Sequence, residues 1–140
     1  MQKISFFKED SAFPTTLKKT VFRAVATYII SKETSKSVEY INFIACSDSF
    51  VLTVNQNYLQ HDYFTDIITF DYSEINIASD VYISIDRIKE NAKINSVSLI
   101  NELHRILIHG ILHLVGYKDK TEAEKKIMTQ KENYYLQLFS

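Results

Sequence analysis

Two histidines, a glycine and an aspartate lie close together near the C-terminal end of the sequence. His109 and His113 are four residues apart in a segment with helical periodicity, and such residues share one face of a helix. Gly116 can adopt the left-handed conformation that ends a helix, after which Asp119 can return towards the histidines. Two imidazoles and a carboxylate suit zinc, and three protein ligands leave one tetrahedral position for water or substrate. The spacing therefore predicts a hydrolytic site for one ion, Zn²⁺ first, although other divalent ions suit the same ligands.

Other polar residues of the same segment could extend this site. Arg105 lies one turn before His109 on nearly the same face, where its guanidinium could bind a phosphate as a catalytic cation; a surface or interhelix ion pair is the alternative. Glu102 is expected to be paired or to orient a histidine rather than to act as a base. His104 lies about 140° around the helix from His109 and is expected to face elsewhere. The alternative to the whole site is a set of buried histidines bonded to backbone or carboxylate partners.

Gly110 separates this pattern from that of the zinc peptidases. In HExxH peptidases the residue after the first histidine is a glutamate that acts as the general base, so this chain would lack the proton acceptor for peptide hydrolysis. A glycine inside a helix costs about 0.5 to 1 kcal/mol relative to alanine. Either a close approach of backbone or substrate beside the ion, or simple helix packing, is therefore expected at Gly110.

The composition is that of one compact domain spanning residues 1–140. The chain has 46% hydrophobic residues, enough for an ordinary core. Its net charge of -1 gives no overall basic signature, so RNA binding would require a local patch. The single cysteine, Cys46, reads as an inert residue at a buried strand end. No signal peptide and no membrane span are recognised, which favours a cytoplasmic location.

Hydrophobic periodicity predicts an α+β fold, an α/β layer structure in which helices pack on a small mixed sheet of about four strands. The metal site would lie at the C-terminal end of a central helix. Strands are predicted at 3–7, 37–45, 66–72 and 78–85, the last two as a hairpin, and helices at 14–31, 48–60, 86–94, from a cap at Ser96 or Ser98 onwards, and 121–138 with a capping box. The expected inner faces are Leu17, Val21, Ala24, Val25 and Tyr28 in the first helix and Ile127, Met128, Tyr134, Tyr135 and Leu138 in the last.

The segment HGILHLVGYKD, residues 109–119, resembles the HGxLHLxGYDH signature of the bacterial YbeY family of metal-dependent endoribonucleases. NQNYLQHDYFTDIITF at 55–70 is similar to that family's NxxYRxxDxPTDVLSF stretch, and SDVYIS at 79–84 to its GDIxIS strand. The resemblance implies a single-strand-specific endoribonuclease that acts in maturation of the 16S ribosomal RNA 3′ end and in ribosome quality control. Its implied partners are ribosomal RNA and the ribosome or its small subunit. The alternative is a non-catalytic, metal-stabilised factor that binds RNA or the ribosome.

Three departures from the family pattern bear on activity. Asp119 aligns with the family's third histidine ligand, Leu59 with an arginine thought to be catalytically important, and Phe64 with a proline. Asp119 keeps a competent ligand but adds negative charge, which should make bound water less acidic. The role of the arginine is either lost or supplied by another cation.

Arg105, Lys118 and His61 are the candidates to supply that cation. His61, Lys118 and Tyr117 are predicted to bind substrate. Tyr63, Phe64 and Tyr117 could stack unpaired bases, although packing is the simpler role for each. Thr65 and Asp66 are expected to hold a loop rather than to contact substrate.

Overall fold

The computed structural model describes residues 3–61 and 63–140. Within them a four-stranded sheet is packed with five helices. None of these helices combines the length and the apolar character that crossing a membrane requires. In chain order the elements are β1 Ile4–Lys8, α1 Lys19–Glu33, β2 Val38–Cys46, α2 Asp48–Leu59, β3 Ile67–Asp71, β4 Ile77–Ser84, α3 Ile85–Ile94, α4 Leu99–Leu114, α5 Glu122–Leu136 and a final 3-10 turn Gln137–Phe139.

The sheet has the strand order β1-β2-β4-β3 and is mixed. β1 pairs with β2 in parallel, β2 pairs with β4 in parallel, and β3 runs antiparallel to β4 as a hairpin. Because side chains alternate along a strand, Val81 and Ile83 of β4 join the main core, whereas Tyr82 packs with the smaller cluster under α2. The predicted α+β class, the mixed sheet and the hairpin are confirmed.

Helix α4 lies at the centre of the main core. Ser98 is its N-cap and accepts a hydrogen bond from the Asn101 backbone N–H, which decides between the two predicted caps. A Cβ atom added at Gly110 would lie 3.1 Å from Ile67 Cδ1 and 3.7 Å from Val81 Cγ1. The glycine therefore lets α4 approach β3 and β4 closely, which is the packing explanation.

The prediction for the first helix was wrong in its start and in part of its buried face. α1 begins at Lys19 instead of residue 14, after a turn in which the Leu17 N–H bonds to the Pro14 carbonyl. Val21 and Tyr28 are 46% and 41% exposed. Leu17 and Val25 are buried as predicted, and the buried face of α1 consists of Phe22, Val25, Ala26, Ile29 and Ile30.

The last helix keeps part of its predicted inner face. Met128 and Tyr135 are each 2% exposed, and the capping box of Thr121 with Glu124 is present. Ile127, Tyr134 and Leu138 are instead exposed. The position between the two buried residues is taken by the buried carboxylate of Glu132, so the inner face is less apolar than the sequence pattern suggested.

Candidate metal centre

The C-terminal end of α4 closes in a glycine turn that redirects the chain. The Tyr117 N–H bonds to the Leu112 carbonyl at 2.9 Å and the Gly116 N–H to the His113 carbonyl at 3.1 Å, the pairing of a Schellman motif. Gly116 has φ 111°, a value that strongly favours glycine. The predicted turn is confirmed, and it brings Asp119 back towards the helix.

Three ligand atoms converge beyond this turn. His109 Nε2 lies 3.0 Å from His113 Nε2, and Asp119 Oδ2 lies 3.1 Å from the first and 3.3 Å from the second. Ligands held about 2.0 to 2.1 Å from a tetrahedral ion are separated by roughly 3.3 Å. The spacing of these atoms therefore matches the group that could hold a metal ion, His109, His113 and Asp119.

The other nitrogen of each imidazole is engaged by an oxygen. His109 Nδ1 lies 2.6 Å from Glu132 Oε2, and His113 Nδ1 lies 2.9 Å from the Tyr117 carbonyl oxygen. Because these oxygens accept hydrogen bonds, each Nδ1 carries the proton, and a neutral ring then presents an Nε2 lone pair. Two such lone pairs and a carboxylate oxygen face one another, an arrangement that a cation at their centre would stabilise.

Glu132 was not found from the sequence, although it supports the site from α5. Its second oxygen accepts a hydrogen bond from Arg105 Nη1 at 3.0 Å, and Arg105 Nη2 donates to Asn133 Oδ1 at 2.7 Å. Arg105 thus lies in the interhelix ion pair that was the alternative to a phosphate contact.

The carboxylates around His109 change its pKa. Burial alone would lower the pKa of His109, but the hydrogen bond and charge of Glu132, with the charge of Asp119, outweigh burial and raise that pKa.

Tyr117 connects the glycine turn to helix α1. Its hydroxyl donates to Glu33 Oε1 at 2.5 Å, and the same carboxylate accepts hydrogen bonds from the Tyr135 hydroxyl and, at 3.0 Å, from Lys131 Nζ. Burial alone would raise the pKa of Glu33, but these three hydrogen bonds lower it. The Tyr117 side chain therefore holds in place the backbone carbonyl that orients His113.

A cleft of about 380 Å³ opens beside the three ligands. Its further lining comes from α4 and from β3 with the loop before it: Thr65, Asp66, Ile67, Thr69, Asp71 and Leu114. Alternation along β3 directs Thr69 and Asp71 to this side, a consequence of strand pairing that sequence reasoning missed. The Asp66 carbonyl accepts the Ser84 N–H at 2.9 Å, and burial raises the pKa of its carboxyl group.

The remaining candidate cations, and the leucine that replaces the family's arginine, lie away from this lining. His61 stacks on Tyr63 with ring centroids 5.2 Å apart, and its Nδ1 lies 3.1 Å from the Tyr63 hydroxyl. Lys118 is exposed beyond the glycine turn. Leu59, the last residue of α2, is 40% exposed. None of these three residues borders the cleft as the structure describes it.

Glu102 and His104 of α4 lie as expected. His104 stacks on Phe139 with centroids 3.7 Å apart, and burial lowers its pKa to about 4. Glu102 is buried and accepts a hydrogen bond from Asn95 Nδ2 at 3.3 Å. His104 therefore faces away from the ligands, and Glu102 is a paired carboxylate.

A known protein family and known sequences match nearly the whole chain. The family model described as endoribonuclease YbeY matches residues 3–140. The chain belongs to the YbeY family. Endoribonuclease YbeY of Cytophaga hutchinsonii is 45% identical over 139 residues, which is 98% of this chain and 96% of that protein. Endoribonuclease YbeY of Parabacteroides distasonis is 47% identical over 135 residues, 93% of this chain and 91% of that protein.

A solved structure supports the fold of this YbeY family member. The solution structure of a Thermotoga maritima protein aligns with a TM-score of 0.67 and 25% identity, covering 96% of this chain and 87% of that one. The family is one of endoribonucleases, so the enzyme class expected from the sequence, a hydrolase acting as a nuclease, is confirmed. The His109, His113 and Asp119 group is consistent with a nuclease that depends on a metal.

Proposed function

We propose that this YbeY family member is a single-strand-specific endoribonuclease whose His109, His113 and Asp119 hold one divalent ion, Zn²⁺ first. The observation that carries the proposal is the convergence of two Nε2 atoms and one carboxylate oxygen within 3.0 to 3.3 Å, while each Nδ1 is bonded elsewhere. Three ligands from the protein leave a position for water or a phosphoryl oxygen.

The bound ion would polarise a phosphoryl oxygen and make a bound water more acidic. The chain's own residues set the conditions for that chemistry. Asp119 brings a negative charge where the family pattern has a neutral histidine, so the site would bind a cation well, but the ion would lower the pKa of bound water less. Glu132 and the Tyr117 carbonyl fix the two imidazole planes. Thr65 and Thr69 supply neutral hydroxyls on a cleft wall that also carries the carboxylates of Asp66 and Asp71.

The proposed substrate is ribosomal RNA, with the 3′ end of 16S RNA as the site of maturation and the ribosome or its small subunit as partner. The resemblance of residues 55–70, 79–84 and 109–119 to the family's motifs supports this assignment. A cytoplasmic location follows from the same role. Arg105 is already paired with Glu132, so the proposed phosphate contacts are Lys118 and His61, which lie outside the cleft lining and would meet the strand beyond it. Tyr117 is proposed to lie at the edge of the substrate site.

The second candidate is a metal-stabilised factor that binds RNA or the ribosome without cleaving it. Leu59 favours this candidate, because it replaces the family's arginine with an uncharged side chain. Both candidates require the metal site, so binding of an ion does not separate them. Cleavage does.

The decisive experiment combines elemental analysis with a nuclease assay. Wild type and His113→Ala, purified free of contaminating nucleases, are analysed for metal and incubated with single-stranded and duplex fragments of ribosomal RNA. His104→Phe is the matched control, because it removes a histidine of the same helix that faces away from the ligands. We expect wild type and the control to hold about one ion and to cut the single strand, and His113→Ala to do neither.

Two other outcomes would change the conclusion. Equal cutting by wild type and His113→Ala would remove the enzyme proposal, because the activity would not depend on the site. Absence of cutting in every variant, with metal lost only in His113→Ala, would favour the binding factor.

A further inference from the structure

Two large aromatic side chains are exposed at the edge of the cleft. Tyr63 is 55% exposed and Phe64 is 52% exposed. The next two residues, Thr65 and Asp66, line the cleft. Because consecutive Cα atoms are 3.8 Å apart, the Cα atom of Phe64 lies within about 8 Å of that of Asp66. The two exposed aromatic residues therefore lie next to the cleft lining in the chain, although they are not part of that lining.

The backbone that presents these rings is fixed on both sides. The Tyr63 carbonyl accepts a hydrogen bond from Asn55 Nδ2 at 2.9 Å, and Asn55 is only 1% exposed. The Asp66 carbonyl accepts the Ser84 N–H at 2.9 Å. A buried amide and a strand end thus anchor the segment. The exposure of the rings is a property of an ordered surface, so little ordering is needed when a ligand stacks on it.

Phe64 is backed by a cation. The guanidinium carbon of Arg87 lies 5.3 Å from the Phe64 ring centroid, and Arg87 Nη2 donates to Asp48 Oδ2 at 2.7 Å. The ion pair holds the guanidinium in place beside the ring, and the Arg87 Nε is buried with no hydrogen-bond partner among the described residues. A planar cation beside one face of an exposed ring leaves the rest of that ring for a nucleobase to stack on.

We propose that Phe64, backed by Arg87, is a stacking subsite for an unpaired nucleobase next to the phosphate at the metal centre. The inference rests on the proposed function and extends it to substrate selection. A base in a duplex has its faces covered by its neighbours, so it cannot stack on Phe64 without unstacking. The subsite therefore contributes to the preference for single strands. Tyr63, whose ring already stacks on His61, has the lesser role.

The test compares Phe64→Ala with a matched control, Phe7→Ala. Phe7 is 53% exposed, the same as Phe64 to within one per cent, but it lies on β1 at the opposite edge of the sheet from β3. Stacking of a base on an aromatic ring is worth about 1 to 3 kcal/mol, so Phe64→Ala should raise KM for a short single-stranded RNA about 5-fold or more. We expect kcat to stay within about 2-fold, Phe64→Trp to restore KM, and Phe7→Ala to have no effect.

Abasic substrates locate the interaction. An abasic position placed in turn along the RNA should raise KM for wild type at one or two positions, and should add nothing further in Phe64→Ala at those positions. Equal KM values for wild type and Phe64→Ala, in a wild type that cleaves, would overturn the subsite and leave the proposed function intact.

A binding measurement separates failure of the subsite from failure of the function. The probe is a short single-stranded RNA that carries the fluorescent base 2-aminopurine at the sensitive position, or at each position in turn if nothing is cleaved. Wild type should quench the 2-aminopurine fluorescence, and Phe64→Ala should not. If wild type does not cleave but this difference is seen, the proposed function fails and the subsite stands. Equal quenching by both proteins would overturn the subsite whatever the cleavage result.

Discussion

Replacing Glu132 with glutamine tests how far the metal site depends on a residue that does not touch the ion. Glu132 uses one oxygen for His109 Nδ1, at 2.6 Å, and the other for Arg105 Nη1, at 3.0 Å. Both partners are donors. Glutamine has the same shape but one oxygen and one NH₂ group, so one of the two contacts becomes a contact between donors. If His109 responds by moving its proton to Nε2, the lone pair directed at the ion is lost.

The size of the effect follows from burial and charge. The Glu132 side chain is only 9% exposed, so water does not weaken its bond to His109. Removing such an orienting partner typically lowers metal affinity 10- to 100-fold, which corresponds to about 1.4 to 2.7 kcal/mol. Because Glu132→Gln removes both the charge and one acceptor, we expect at least a 10-fold loss.

The assay is a competition titration of Zn²⁺ against a chromophoric chelator at fixed pH, with circular dichroism to confirm folding. Glu122→Gln is the matched control, because Glu122 is on the same helix with a side chain 94% exposed. It should bind Zn²⁺ as wild type does. A folded Glu132→Gln protein with an affinity within about 2-fold of both would refute the reasoning, since the Glu132 to His109 contact would then contribute nothing to the ion.

Four further predictions follow from the geometry. Gly116→Ala should lower the free energy of unfolding by about 1 to 3 kcal/mol in urea titrations, because its φ of 111° strains any other residue, whereas Gly110→Ala, with a Cβ 3.1 Å from a flexible side-chain end, should change it by less than about 1 kcal/mol; equal losses would contradict this. His104 has a folded pKa of about 4, below its unfolded value, so it favours folding above pH 6.5 and loses that contribution as pH falls towards 4. Between pH 7 and pH 5, the free energy of unfolding measured in urea titrations should therefore fall about 1 kcal/mol less in His104→Phe than in wild type, after allowance for the partial exposure of His104. Equal falls in the two proteins would contradict this prediction. Burial raises the pKa of Cys46 to about 12, so a thiol reagent should modify it only after unfolding, and rapid labelling of native protein would count against this. Arg105→Met should weaken Zn²⁺ binding in the chelator assay through Glu132, and a raised KM for RNA with unchanged Zn²⁺ affinity would instead reveal a phosphate contact.

The group of three candidate ligands could be predicted from the sequence because its arrangement is local. His109 and His113 are related by the helix period, and Gly116 sets the turn that returns Asp119. All three lie within eleven consecutive residues, so no knowledge of distant packing was required. The three YbeY motifs, at 55–70, 79–84 and 109–119, are also short continuous segments, which is why the family could be named from the sequence.

The residues that support the ligands could not be predicted, because they reach the site through tertiary packing. Glu132 lies on another helix, and Glu33 is at the end of α1, 84 positions from Tyr117. Asp71 faces the cleft only because of the β3 to β4 register. Helical periodicity does show that Glu132 lies on the Met128 and Tyr135 side, but an acidic residue between apolar ones reads as an interruption until its partner is known.

The Glu33 cluster makes the proposed metal site depend on α1 and α5, two helices that lie far apart in the sequence. Glu33 is held by Tyr117 from the glycine turn and by Tyr135 and Lys131 from α5, while α5 also carries Glu132. An excised peptide spanning 99–119 would contain every side chain proposed to hold the ion, yet it would lack the contacts with Glu33 and Glu132. Such a fragment should bind far more weakly than the intact protein, and trimming the C-terminal helix should release the ion. Binding of the ion would then require the folded protein, so that an incompletely folded chain would lack the metal centre.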